Sequence, residues 1–314
     1  VVIDLTAPVV GVDALTTNDS RPPLSGTVND NLAAISVSVG GQTRAATNNG
    51  NGTWTLVNDA ISPALAQGTY NVSVTATDPA GNAGADATNN ELRIDTSAPT
   101  VTVTTLVTND NRPALSGTVN DTSATIRVDV GGQTNLTATN NGNGTWTLAD
   151  NTISPALASA TYNVVVQATD AASNVGTDAT TNELTIDTTA PTVTVNTLST
   201  ADNTPALTGT VSEAGASISV TVSGQTNPAT NNGNGTWTLA NNTLAALPDG
   251  TYNVAVTATD AAGNAGSDAT TNELRVDTTA PTVTVNALTT NDTTPPLTGT
   301  VNDATATISV TVGG

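Results

Sequence analysis

Thr161-Tyr162-Asn163-Val164-Val165-Val166-Gln167-Ala168-Thr169-Asp170-Ala171-Ala172-Ser173-Asn174 is the stretch on which the reading of this chain turns. Tyr162, Val164 and Val166 share one side of a period-2 alternation, the pattern of a half-buried strand. The strand runs out into an acid, and an Asn follows four residues later. The opening Thr-Tyr-Asn-Val recurs at Tyr70 and Tyr252. Working outward, Asn-Gly-Asn-Gly-Thr-Trp-Thr-Leu surrounds Trp54, Trp146 and Trp237, and Ser/Thr-Gly-Thr-Val precedes an acidic pair. Asp-x-x-Ala-Pro begins at Asp4, Asp95, Asp187 and Asp277, spaced by 91, 92 and 90 residues. Fixed order at a fixed period means tandem units. A unit of about 90 residues is too long for one turn of a solenoid and suits a small autonomous domain. The expected organisation is residues 1–94 (with 1–3 the tail of a preceding repeat), 95–186, 187–276, and 277–314. The last is a partial repeat carrying strands A–C only, so the chain reads as a window on a longer array.

Within residues 95–186 the alternation continues. Strand A falls near Val101–Leu106, B presents Leu115, Gly117 and Val119 inward, and C presents Ile126, Val128 and Val130. Gly131-Gly132 turns C into D, and Asn140–Gly144 turns D into E, with Trp146 and Leu148 on one face. Tyr162 opens F, and G lies at Leu184–Ile186. No segment has a 3.6-residue period. Seven short strands in this length predict an all-β fold, tandem immunoglobulin-like Greek-key β-sandwiches in a linear array, with Tyr162 placed for a tyrosine corner. One Trp and one Tyr per repeat give a light core of Val, Ile, Leu and Ala, so a further source of stability is expected.

Composition removes whole classes of function. The chain has no Cys, His, Met, Phe or Lys, and its net charge is −20. Disulfides, Cys/His metal centres, His-dependent nucleophiles and Lys-based chemistry are excluded, and the reading is that this is not an enzyme. Such acidity repels phosphate backbones and anionic lipid, which speaks against nucleic-acid partners. No apolar run reaches the ~20 residues of a membrane span, so direct membrane insertion by this segment is not expected, and residues 1–30 do not read as a signal peptide.

The acids converge. In a sandwich of this topology the lead-in to strand A, the B–C loop and the F–G loop meet at one end. Residues 95–186 thereby bring together Asp95, Asn120, Asp121, Asp170 and Asn174. The first repeat supplies Asp4, Asn29, Asp30, Asp78 and Asn82; the third supplies Asp187, Glu213, Asp260 and Asn264; the fourth start supplies Asp277, Asn302 and Asp303. With no basic residue inside the motif, three close carboxylates either rise in pKa or gather a cation. An all-oxygen set of Asp, Glu, Asn and carbonyl suits Ca2+ over Mg2+. Against this, Asp and Asn are also ordinary turn formers, which accounts for Asp19, Asp110, Asp202 and Asp292. At the trio, Glu213 in place of Asp favours a charge requirement over a turn requirement. Asp86, Asp178 and Asp268, with Glu91, Glu183 and Glu273, recur in phase and read equally as further ligands or as solvated loop charges.

Asp95-Thr-Ser-Ala-Pro-Thr-Val, Ser116-Gly-Thr-Val, Asn143-Gly-Thr-Trp-Thr-Leu, Thr161-Tyr-Asn-Val and Ala168-Thr-Asp170-Ala-Ala-Ser-Asn174 together resemble the bacterial immunoglobulin-like extender repeats of giant type I secreted, RTX-type adhesins. The resemblance covers every complete repeat. It implies an extracellular stalk on the bacterial cell surface, anchored by regions outside this segment and stiffened by Ca2+ at the joints between neighbouring repeats. Such a stalk holds a distant tip for adhesion or biofilm formation. Two other readings stand beside it: side-by-side self-association into a filament or surface layer, and a carbohydrate-binding module. The second is weakened because the three Trp share the inward face with Leu56, Leu148 and Leu239.

Overall fold

The computed structural model describes residues 3–313; Val1, Val2 and Gly314, at the ends of the first and last expected repeats, lie outside the described residues. It divides into two compact units, Val1–Asp187 and Thr188–Gly314. The first unit holds two complete repeats, the second a complete repeat and the start of another.

The first repeat has ten short strands. They are β1 (Val10–Val12), β2 (Leu15–Thr17), β3 (Leu24–Val28), β4 (Ala34–Val39), β5 (Gln42–Asn48), β6 (Thr53–Leu56), β7 (Gly68–Tyr70), β8 (Ser73–Thr77), β9 (Ala83–Ala85) and β10 (Leu92–Ile94). One sheet runs β1-β3-β6-β5-β4-β8-β9, the other β2-β10-β7. Strand β5 pairs with β4 over residues 42–46 and with β6 over 47–48, so the larger ladder folds over and encloses the core. The same plan recurs to Ile186 and, in the second unit, from Val193 to Val276; in the second repeat the counterpart of β1 is a single bridge, Val101 to Val119. All three complete repeats are immunoglobulin-like sandwiches, as the alternation predicts, and no helix occurs among the described residues.

The structure refines three points. Strand A is two pieces: β1 pairs antiparallel with β3, and β2 crosses to lie parallel to β10. Strand F also breaks, into β7 and β8, which belong to different sheets. The F–G connection contains β9, paired with β8. All of these pieces but β8 are three residues long, too short to show a period in sequence.

Each core is built around a fully buried Trp, whose Nε1 donates to a backbone carbonyl of the first strand: Trp54 to Gly11, Trp146 to Thr102 and Trp237 to Thr194, each at 2.9 Å. Gly26 makes room for this bond. A Cβ there would stand 2.0 Å from the Gly11 oxygen and 2.7 Å from Trp54 Nε1. The tyrosine corner is formed, with Tyr70, Tyr162 and Tyr252 donating to the carbonyls of Ala66, Ala158 and Pro248. In the fourth start, Val283–Val285 pairs with Gly299–Val301. Residues 307–312, read as strand C, form no ladder among the described residues. Ile308, Val310 and Val312 are exposed there.

Candidate functional site

The lead-in to each repeat is held by backbone and amide bonds. Asn120 Oδ1 accepts the Thr100 amide at 2.8 Å, and the Asn120 amide donates back to the Thr100 carbonyl. Asn29 does the same for Val9 and Asn302 for Thr282. In the third repeat Ser212 takes the role, its Oγ accepting the Thr192 amide at 2.9 Å. These Asn oxygens are therefore already occupied as clamps on strand A. Below them the buried prolines Pro8, Pro99 and Pro191 press their carbonyls onto Gly84, Gly176 and Gly266, where a Cβ would approach to 1.7 Å. This glycine was not recognised in the sequence, although it stands in every complete repeat two residues after the loop Asn.

At the F–G loop, Asp170 and Asn174 form a closed pair. Asn174 donates its backbone amide to Asp170 Oδ1 and its Nδ2 to Oδ2, both at 2.8 Å. The same Nδ2 reaches the Asp95 carbonyl at 2.8 Å, across 79 residues of sequence. Asp78 and Asn82 repeat the arrangement toward the Asp4 carbonyl, at 3.1 Å. Asp260 and Asn264 repeat the pair in the second unit. Asp187 belongs to the first unit, where its amide donates to Thr108; Glu213 and Asp260 belong to the second.

Between the first and second repeats, Asp95, Asp121 and Asp170 line one groove of about 390 Å3, together with Asn120, Ser123 and Arg93. The expected trio therefore shares a surface. Its electrostatics differ from the expectation in one respect: a basic residue is present. Arg93 reaches Asp95 Oδ2 at 2.7 Å, and Arg275 reaches Asp277 Oδ2 at 2.7 Å in a second groove that Asp303 also lines. Both arginines stand two residues before the motif, outside the span in which a countercharge was sought. Asp121 accepts the Ser123 amide and hydroxyl at Oδ1, both at 2.7 Å, and these bonds hold its carboxyl below the ordinary value. Asp303 is lowered in the same way by Thr305. The Asn82 and Asn264 side chains are the leading cause of the lowered pKa of Asp78 and Asp260, against an opposing push from burial.

The donor chemistry fits a hard cation, since every group is a carboxylate, amide or hydroxyl oxygen. The spacing fits less closely. Among the described residues no group of three or more Asp or Glu is gathered tightly enough to hold a metal ion.

The linker is also gripped from the repeat it leaves. Gln67 Oε1 accepts the Thr96 and Ser97 hydroxyls at 3.1 and 2.9 Å. In the second unit Asp249 accepts Thr278 and Thr279 in the same position, and the Thr278 amide leads in lowering its pKa.

An acidic sandwich repeated in tandem, with a clamped lead-in to each copy, defines a modular protein of immunoglobulin-like domains. The sequence model of the bacterial Ig-like domain family matches residues 10–96, 101–188 and 194–278, and the chain belongs to that family. A second model, bacterial Ig-like domain (group 3), matches residues 154–223. No curated protein matches significantly. Among solved structures the chain is similar to one described for host cell surface retention of a 1.5-MDa bacterial ice-binding adhesin (21% identity, 86% of this chain and 98% of that one, TM-score 0.33). It is also similar to a tetra-tandem repeat from the extending region of a large adhesion protein (25%, 94% and 87%, TM-score 0.30). A third is a Ca2+-stabilized adhesin with which an Antarctic bacterium reaches out and binds ice (24%, 92% and 79%, TM-score 0.32).

Proposed function

We propose that this chain is a stalk segment of a large bacterial surface adhesin, extracellular and non-enzymatic. Its repeats, divided as 1–94, 95–186, 187–276 and 277–314, space a binding module away from the cell for adhesion or biofilm formation. We further propose that Ca2+ stiffens the joints. Asp95, Asp121 and Asp170 would hold it at the first, with Asp4, Asp30 and Asp78, then Glu213 and Asp260 in the third repeat, then Asp277 and Asp303 as counterparts. Asn29, Asn82, Asn120, Asn174, Asn264 and Asn302 position the loops that carry these acids. A bound divalent ion supplies positive charge that neutralises mutually repelling acids and makes separation of lead-in and loop costly.

The observation that carries this reading is the shared groove of Asp95, Asp121 and Asp170, built where the linker meets the sandwich that follows. Arg93 already offsets part of the charge, so an arriving cation competes with it for Asp95. The three Trp are fully buried and offer no face for sugar stacking, which disfavours the carbohydrate-binding alternative.

Melting the full chain with millimolar Ca2+ and again with chelator tests the proposal. The expected result is a fall of many degrees in chelator, with X-ray scattering reporting greater flexibility. Superimposable melting curves and scattering profiles would remove calcium from the account.

A further inference from the structure

Three glutamates sit deep in the fold, outside the grooves described above. Glu91, Glu183 and Glu273 are 6%, 2% and 3% exposed. Each immediately precedes the last strand of its repeat, and each uses Oε2 to accept a backbone amide: Val72 at 3.0 Å, Val164 at 2.9 Å and Val254 at 2.9 Å. The other oxygen, Oε1, is buried without a hydrogen-bond partner in all three. A buried carboxylate oxygen left unserved costs free energy, and the same atom is left so three times over.

The connection leading into each glutamate carries further oxygen donors. Asp86, Asp178 and Asp268, five residues upstream, are tied by their amides to the carbonyls of Val74, Val166 and Val256. Those carbonyls lie two residues along the strand from the amide that holds each glutamate. Thr88 and Thr180 donate their hydroxyl protons to the Asp86 and Asp178 carboxylates at 2.6 Å, and Thr270 does so to Asp268. Both Asp86 and Thr88 act on the Glu91 carboxyl. Burial, with a smaller push from the Asp86 charge, raises its pKa, and the Val72 amide and Thr88 hydroxyl outweigh them, leaving it below the ordinary value. The carboxyl is buried and feels the charge of a second acid. Among the described residues the ion pairs are Arg93–Asp95 and Arg275–Asp277, so no guanidinium serves it.

We propose that Asp86, Thr88 and Glu91, with Asp178, Thr180 and Glu183 and with Asp268, Thr270 and Glu273, form a second class of cation site, one inside each complete repeat, for a hard divalent ion of the Ca2+ type. Two carboxylates balance a double charge, and the donor set is entirely oxygen, which Ca2+ accepts at high and flexible coordination number. Such an ion joins the start of the last strand to the F–G connection within one sandwich. It therefore stabilises the repeat itself, independently of any ion at a junction.

The test counts bound Ca2+ on the full chain by equilibrium dialysis, comparing wild type with Glu91→Gln/Glu183→Gln/Glu273→Gln and with Asp95→Asn/Asp121→Asn/Asp170→Asn. The glutamine variant is expected to lose three ions per chain and most of the calcium-dependent rise in melting temperature. The asparagine variant is expected to retain those three. If the glutamine variant does not fold, Asp86→Asn/Asp178→Asn/Asp268→Asn, at half-buried positions, is expected to give the same loss. An unchanged ion count in the internal-site variants overturns the proposal and leaves the junction reading standing. Loss in those variants alone supports it and overturns the junction reading.

Discussion

Arg93 and Asn174 bracket the same aspartate with opposite effects. Arg93 meets the Asp95 carboxylate through a largely exposed side chain, at 57% against 14% for Asp95, and a pair with one partner so exposed contributes on the order of 1 kcal/mol. Asn174 is buried and holds the Asp95 carbonyl, leaving the carboxylate to face the groove. Replacing the arginine should therefore change binding more than folding. Arg93→Gln is expected to shift the melting temperature by only a few degrees without calcium, while tightening Ca2+ binding at that joint several-fold in a calorimetric titration. Legibility at this scale was uneven. Asp95, Asp121 and Asp170 were found from their phase in the repeat, because strand direction alone brings their loops together. Arg93 was missed because strand G places it beside Asp95 by geometry that a motif boundary hides. Asn120 was read as a ligand, and one lone pair of its oxygen accepts the Thr100 amide; an Asn beside an Asp has the same letters in either role.

Among the elements, the close crossing of the first strand with the third decides how the core Trp is seated. In the second repeat, a Cβ on Gly117 would stand 1.9 Å from the Thr102 carbonyl and 2.6 Å from Trp146 Nε1. Both are main parts of the core, so neither yields easily. Gly117→Ala is expected to destabilise that sandwich by about 3 kcal/mol, seen as a fall of roughly 10–20 °C in its melting transition. The inward Gly of strand B was legible by its place in the alternation, but the reason for it was not, since the Trp–carbonyl bond spans 44 residues. Acid provides a second test, at the F–G loop. Asp78 and Asp260 have folded pKa values below the ordinary aspartate value. A depressed folded pKa contributes stability that is complete above the unfolded value and is lost as pH falls through the folded one. Melting temperature should hold from pH 7 to about 5 and decline below 4. Asn82→Ala and Asn264→Ala remove the leading cause, so the deficit of these variants at pH 7 should narrow toward pH 3.

For the whole molecule, charge governs behaviour in solution. A net charge of −20 keeps copies apart near neutral pH, and the sequence pI of about 4.1 marks where that repulsion vanishes. Light scattering should report a monomer at pH 7 without divalent ions and association as pH approaches 4. Concentration-dependent assembly at pH 7 in chelator would instead favour the self-associating alternative. The repeat period and fold class were plain in the sequence because every landmark recurs in order. The two-piece A and F strands were not, because their pairing is decided by partners far along the chain.

Strand β2, near the start of the first repeat, lies parallel to β10, at its end. Tension applied through the two linkers therefore drags these neighbours past one another lengthwise. Their cross-links are strained all at once, where an antiparallel pair pulled from one end would open like a zip. A chain pulled from its two ends is loaded in that direction, and the topology sets its resistance.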